Sequence, residues 1–183
     1  MSLFEENTVL KSDQPLVVYE LNEVPWRVID WYVRRKPDTA LARMLNQANT
    51  LTTVTRDEGE LHPWTTWPTL HRGVTNSVHN IGFINQSLAQ AKAYPPVWET
   101  LESAGKRIGL FGSLQSYPPP KVGGYEFYVP DTFAPGPETL PHKYEAFQRF
   151  NLRQTQQDGA QAKPVQFDSS SADDFLGMLR SGL

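Results

Sequence analysis

The chain contains no cysteine. That removes a disulfide framework, a thiolate zinc site and a thiol nucleophile together, and leaves Ser, Thr, Asp, Lys or His as the side chains able to attack a substrate. No run of about 18 apolar residues occurs, the length a helix needs to cross a bilayer. The opening stretch MSLFEENTVLKSDQP carries three acids and nothing like the apolar centre of a signal peptide. These absences predict a soluble, cytoplasmic chain without a membrane span. Basic charge is also scarce. With 17 Lys and Arg against 20 Asp and Glu, the net charge is -3, and the one basic cluster is the short Arg34, Arg35, Lys36. No cationic stripe exists for nucleic acid, so nucleic-acid binding is not the expected main role.

What is present reads as globular. Hydrophobic residues make up 39% and charged residues 20% of 183 positions, enough for one domain with a core. The 15 prolines predict long loops. Residues 1–14 form a polar lead-in. LVVYELNEV (16–24) is a short apolar and β-branched run of the kind found in buried parallel strands, and it ends in acids. PWRVIDWYVRRKP (25–37) spaces Val28, Ile29, Trp31, Tyr32 and Val33 helically between two prolines. DTALARMLNQA (38–48) reads as a helix capped by Asp38, with Leu41, Met44 and Leu45 inward. TLTTVTRD (50–57) follows as a β-branched strand.

The helix-then-strand logic repeats in PPVWETLESAGKRIGLFGSL, with Val97 and Leu101 inward, Gly105 as the stop and RIGLFG as the strand. A further short strand is expected near Tyr125 to Val129, inside a Pro- and Gly-rich loop region. A helix is expected over 142–156 with Tyr144, Phe147 and Phe150 on one face. Residues 157–171 read as a linker before a last amphipathic helix, an ending that suggests further structure beyond it. The fold expected is α/β, a mainly parallel sheet with helices on both faces. It spans residues 15–156 as one partial domain, with 157–183 as linker and terminal helix. Such sheets hold ligands outside the carboxyl ends of their strands.

GELHPWTTWPTLHRG (59–73) lies beyond the second expected strand. Pro68 suits a first helical turn, which predicts a helix entrance there with Thr65 and Thr66 just outside it. Free N–H groups and the helix dipole at such a place attract a phosphate-like anion. A threonine hydroxyl needs a base or a metal to become a nucleophile, and Glu20 and Glu23 are nearby acidic candidates at the end of the first strand. From the residues alone, the threonines read sooner as a cap and turn than as a catalytic pair. His71 and His79 stand eight apart, unlike a helical zinc pair, and read as packing or hydrogen-bonding residues. Trp64 and Trp67 read as wall and core.

Taken in order, LVVYELNEVPWRVID, KPDTALARMLNQA, HPWTTWPTLHRGVTNSVHNIGFIN and YPPVWETLESAGKRIGLFGSLQSYPP resemble the amino-terminal half of the alkaline phosphatase superfamily, in its type I phosphodiesterase and nucleotide pyrophosphatase branch. The resemblance spans about residues 15–130. It implies an alkaline-phosphatase-like core, here incomplete, and a metal-dependent phosphodiesterase or phosphatase acting on a small phosphoester. Thr66, which directly precedes the aromatic-Pro pair, matches the nucleophile, and Thr65 is then its neighbour. The first metal ligand falls in ELNE, at Glu20 or Glu23; Glu20 closes the apolar run and is slightly preferred. His79 matches the His of a His-Gly-Ile turn, with Asn80 where Gly is usual, and Asn85 matches the residue that binds the phosphoryl oxygen.

The implied chemistry is a two-metal displacement, with zinc or alternatively manganese, through a phosphothreonine. Thr66 would itself be a metal ligand. The family takes most of its ligands from a carboxyl-terminal half, as Asp and His residues. Here the four histidines are His62, His71, His79 and His142, and no aspartate after residue 131 directly precedes one. The isolated chain is therefore expected to be inactive. The alternative is a non-catalytic remnant that binds a partner, or a second copy of itself, through surface the missing half would cover.

Overall fold

The computed structural model describes residues 15–84, 86–153, 155 and 169–181. The expected lead-in (1–14), Asn85 and most of the expected linker lie outside them. The chain divides into two units, Met1–Thr50 and Leu51–Leu183, each described by itself.

In the amino-terminal unit, α1 (Trp26–Arg35) and α2 (Ala40–Gln47) form where the apolar spacing predicts. In α1, Ile29 and Val33, one helical turn apart, are half-buried, while Trp26, Val28, Trp31 and Tyr32 are exposed. The Arg35 guanidinium lies 4.3 Å from the centre of the Trp31 ring, a cation–π contact one turn apart. The cap of α2 is Thr39 rather than Asp38: its Oγ1 accepts the Ala42 N–H at 3.4 Å and donates to the Lys36 carbonyl at 2.8 Å. A capping side chain serves the N–H two or three residues ahead, and Thr39, the last extended residue before the helix, holds that position. Met44 is 56% exposed, and the buried position of α2 is Ala42.

LVVYELNEV is not a strand. It runs as irregular chain with a turn at Asn22 and Glu23, and Leu16, Val17, Val18 and Tyr19 are 71–85% exposed. TLTTVTRD is likewise unpaired, with Leu51 and Val54 exposed. A strand exists only if a neighbouring strand takes its N–H and C=O groups, and among the described residues the only ladder is elsewhere, between residues 108–111 and 125–129.

The second unit contains α3 (Pro63–Arg72), α4 (Asn76–His79), α5 (Val97–Ser103), β1 (Ile108–Phe111), β2 (Tyr125–Val129), α6 (Glu145–Arg153) and α7 (Ser169–Ser181). Strands β1 and β2 pair in parallel, with Gly109 opposite Phe127, Leu110 opposite Tyr128 and Phe111 opposite Val129. The architecture is therefore mixed helix and strand, around a sheet of two parallel strands among the described residues. Its core joins Trp98 of α5, Leu110 of β1 and Tyr128 of β2, flanked by Ile108, Tyr125 and Leu140. Sequence spacing points Val97 and Leu101 inward, but Val97 is 50% exposed and Trp98 only 6%. A seven-residue helix has one narrow buried stripe, and burying an indole removes more apolar area than burying a valine.

Helix α6 follows a 3-10 turn at His142–Tyr144. It packs against β1 through Phe147 and Phe111, and against α7 through Phe150 and Phe175. Among the described residues no helix is long and apolar enough to cross a membrane.

Candidate functional site

Helix α3 begins at Pro63, not at Pro68. His62 precedes it in extended conformation, Pro63 takes the first helical position, and the His62 carbonyl accepts the N–H groups of Thr65 (2.9 Å) and Thr66 (3.0 Å). Two prolines could open this helix; Pro63 does, because HPWTT can close a full turn ahead of Pro68. Pro68 then forfeits only the bond to the Trp64 carbonyl. Both threonines lie inside the first turn and a half, with their N–H groups already spent. The anion-binding entrance expected beside them is not formed by those groups. The hydroxyl of Thr66 donates to the His62 carbonyl at 3.2 Å and is half-buried; Thr65 is 3% exposed.

Gly73 ends α3 in left-handed conformation, its N–H on the Thr69 carbonyl, and α4 follows. The chain then turns at Asn80, whose φ of 55° and ψ of 31° are left-handed. Asparagine tolerates this region better than any other residue except glycine. The turn beyond is held by Gln86, whose Oε1 accepts the N–H groups of Gly82 (2.9 Å) and Phe83 (3.2 Å) and whose Nε2 donates to the Asn80 carbonyl. Gln115, itself left-handed at φ 58°, donates to the Phe83 carbonyl at 3.0 Å. The start of α3, α4 and this turn enclose an open cleft of about 790 Å³. Thr65, His62 and Trp64 line one side, and Asn76, Asn80 and Phe83 are also in its wall; Thr66 is not among the described lining residues.

A polar network lies behind the cleft. Asp57 Oδ1 accepts the Thr69 hydroxyl at 2.8 Å and the Asn76 N–H at 2.7 Å, and Thr69 Oγ1 is 2.9 Å from His79 Nε2. His79 is fully buried, and its Nδ1 accepts the Ile81 N–H at 2.9 Å. Burial pushes the Asp57 carboxyl up, but the hydrogen bonds from Asn76, Thr69 and Thr55 and the nearby His79 together hold it below its ordinary value. Burial lowers His79, with Asp57 opposing and Arg72 reinforcing. At the carboxyl ends of the strands a second carboxyl, Asp131, is 4% exposed. Burial raises its pKa, against bonds from the backbone N–H groups of Phe133 and Gln115.

Of the residues singled out in the sequence, Thr66 sits on α3, and Glu20 and Glu23 belong to the other unit, Glu23 in a left-handed turn. The site above is built from the second unit alone. Asn85 lies outside the described residues. His71 stacks on Trp67 (5.6 Å) and meets Trp98 edge-on (4.9 Å), the packing role its spacing suggests. Among the described residues no three His, Asp or Glu side chains assemble as a metal site. They do not by themselves fit the dinuclear centre that the resemblance implies. Asp57 had a signal in the sequence: it ends a β-branched run, as Glu20 ends an apolar one. Gln86 and Gln115 had none, because a glutamine serving a distant turn leaves no local pattern.

No family model, no curated protein and no solved structure matches the chain.

Proposed function

We propose that the chain is the amino-terminal part of a phosphoester hydrolase of the type I phosphodiesterase and nucleotide pyrophosphatase kind, with Thr66 as the attacking hydroxyl. The observation that carries this reading is the backbone of Asn80. It is left-handed at the position where the resemblance has the glycine of a His-Gly-Ile turn, and that conformation is a demand on backbone geometry which few residue types meet. His79 before it is buried and Ile81 after it is buried as well, in keeping with a fixed turn rather than a surface loop.

In this reading the Thr66 hydroxyl leaves the His62 carbonyl, its oxygen bonds to phosphorus as the P–O bond to the leaving group breaks, and its proton ends on the departing ester oxygen. Water then attacks the phosphothreonine, its oxygen bonding to phosphorus as the bond to Thr66 breaks and one of its protons restoring the Thr66 hydroxyl. Asn85 would bind a phosphoryl oxygen. The zinc or manganese ions of the resemblance would need Asp and His ligands from a carboxyl-terminal half, with Glu20 or Glu23 as the contribution of this chain. A larger parallel sheet with helices on both faces, and a cytoplasmic location, belong to the same proposal.

The test is hydrolysis of bis-p-nitrophenyl phosphate, with added zinc or manganese, by the product of the whole reading frame. Thr66→Ala is expected to lower kcat by on the order of 10³ or more, as loss of a nucleophile does, with Thr66→Ser retaining part of the rate. Equal rates for wild type and Thr66→Ala remove the proposal.

One observation favours a second reading, a non-catalytic binding module: the exposed apolar run Leu16–Tyr19, a surface suited to association. Light scattering separates the two, since concentration-dependent association of a metal-free, inactive protein supports the module and a monomer argues against it.

A further inference from the structure

The partners of His79 fix where its proton sits. A backbone N–H is a donor under all conditions, and that of Ile81 lies 2.9 Å from Nδ1, so Nδ1 carries a lone pair. The single proton of the neutral ring is then on Nε2, and it is donated to Thr69 Oγ1 at 2.9 Å. Thr69, having accepted, passes its own hydroxyl hydrogen to Asp57 Oδ1 at 2.8 Å. The same carboxylate oxygen accepts the Asn76 N–H at the start of α4. One ring thus ties α3, both ends of α4 and the cleft turn into a chain of donors in which every role is assigned.

We infer that His79 is a positioning residue and a pH latch: neutral, it holds the backbone at Ile81 and with it the wall of the cleft, and protonated, it releases them. A second proton can only go on Nδ1, which becomes a donor facing the Ile81 N–H. Two buried donors then oppose each other, and a group with no exposed surface has no water to take up the lost bond.

Two ionisable groups act on the ring. Asp57, through Thr69, favours the charged form, and Arg72 on α3 disfavours it. The rest of α4 (Asn76, Ser77, Val78), the turn Asn80–Ile84 and the 3-10 segment Leu88–Ala91 packed on α4 carry no ionisable side chain. Burial, reinforced by Arg72, outweighs Asp57 and keeps the imidazole below its ordinary value. A base whose folded pKa is lowered stabilises the folded turn fully above about 6.5, its value in the unfolded chain, and that stability is lost as pH falls below it. The latch holds whether or not the cleft serves phosphoester hydrolysis.

Imidazole and amide ¹⁵N spectra of the labelled chain, titrated from pH 8 to pH 5, test it directly. At pH 7.5 the ring is expected as the Nε2–H tautomer. On acidification the Ile81, Gly82 and Phe83 amides are expected to shift together with the ring, at a midpoint below about 6.5, while the Leu110 amide of β1 stays in place. Thr69→Val, which removes the acceptor for Nε2–H, is expected to shift the Ile81 amide already at pH 7.5, and Thr69→Ser to restore it. An Nδ1–H tautomer, an Ile81 amide that does not follow the ring, or loss of the Leu110 amide at the same midpoint would each overturn the inference. The wild-type titration decides the matter even where a variant fails to fold.

Discussion

Residues 16–24 and the pair 108–111 with 125–129 carry the same kind of sequence, short, apolar and rich in β-branched or aromatic residues, and they end differently. The second pair forms a parallel ladder over a core, with Val129 1% and Leu110 5% exposed, whereas Val17 and Val18 are 85% and 72% exposed. The difference lies in what stands alongside. β1 is delivered by α5, whose Trp98 covers it, and β2 returns within 13 residues to take its hydrogen bonds. Nothing among the described residues does this for 16–24. A strand signal in a sequence states a preference for a pleated, half-buried surface, and a neighbouring strand has to supply that surface.

The contrast can be broken most strongly at the covered end. Trp98→Ala empties the centre of the β1–β2 core and is expected to cost about 3–5 kcal/mol, read from urea or thermal unfolding by circular dichroism. Val129→Thr, which buries a hydroxyl on the paired strand, is expected to cost about 1–3 kcal/mol in the same measurement. The matched change Val17→Thr on the unpaired run is expected to stay within about 0.5 kcal/mol. Should Val17→Thr destabilise as much as Val129→Thr, the run 16–24 is packed in solution and the contrast fails.

Acid sharpens a second contrast, between two carboxyl groups of the second unit, the half-buried Asp57 and the buried Asp131. Asp57 has a lowered pKa, so its contribution is present above 3.8 and is lost as pH falls through its lower folded value. Asp131 has a raised pKa, so stability instead declines as pH rises from 3.8 through its higher folded value. Unfolding midpoints followed from pH 2 to pH 7 are expected to lose the rise below 3.8 in Asp57→Asn and the decline above 3.8 in Asp131→Asn, the rise that His79 adds below about 6.5 being a separate step. The same slope change in both variants would contradict the opposite signs.

Several features were legible in the sequence because their causes are local. The apolar spacing of α1, the Gly105 stop after α5, the aromatic face of α6 and the positions of β1 and β2 all follow from residues within one or two turns of each other. The candidate site was legible only in outline. The sequence points to the Thr65–Thr66 stretch and to His79, but it places the start of α3 five residues too late, since two prolines satisfy the same rule. The Asp57–Thr69–His79 chain joins positions 10 to 22 residues apart through side-chain atoms, a link that no periodicity encodes.

Composition and local spacing by themselves determined that this chain has no thiol chemistry, where most of its helices fall, and which residue types are at hand near the cleft. Tertiary structure decided which apolar runs became strands, which of two threonines faces the cleft, and which nitrogen of His79 holds the proton. Helices close their hydrogen bonds within a few residues and so can be read along the chain. Ladders, clefts and buried proton positions depend on groups supplied from elsewhere in the molecule.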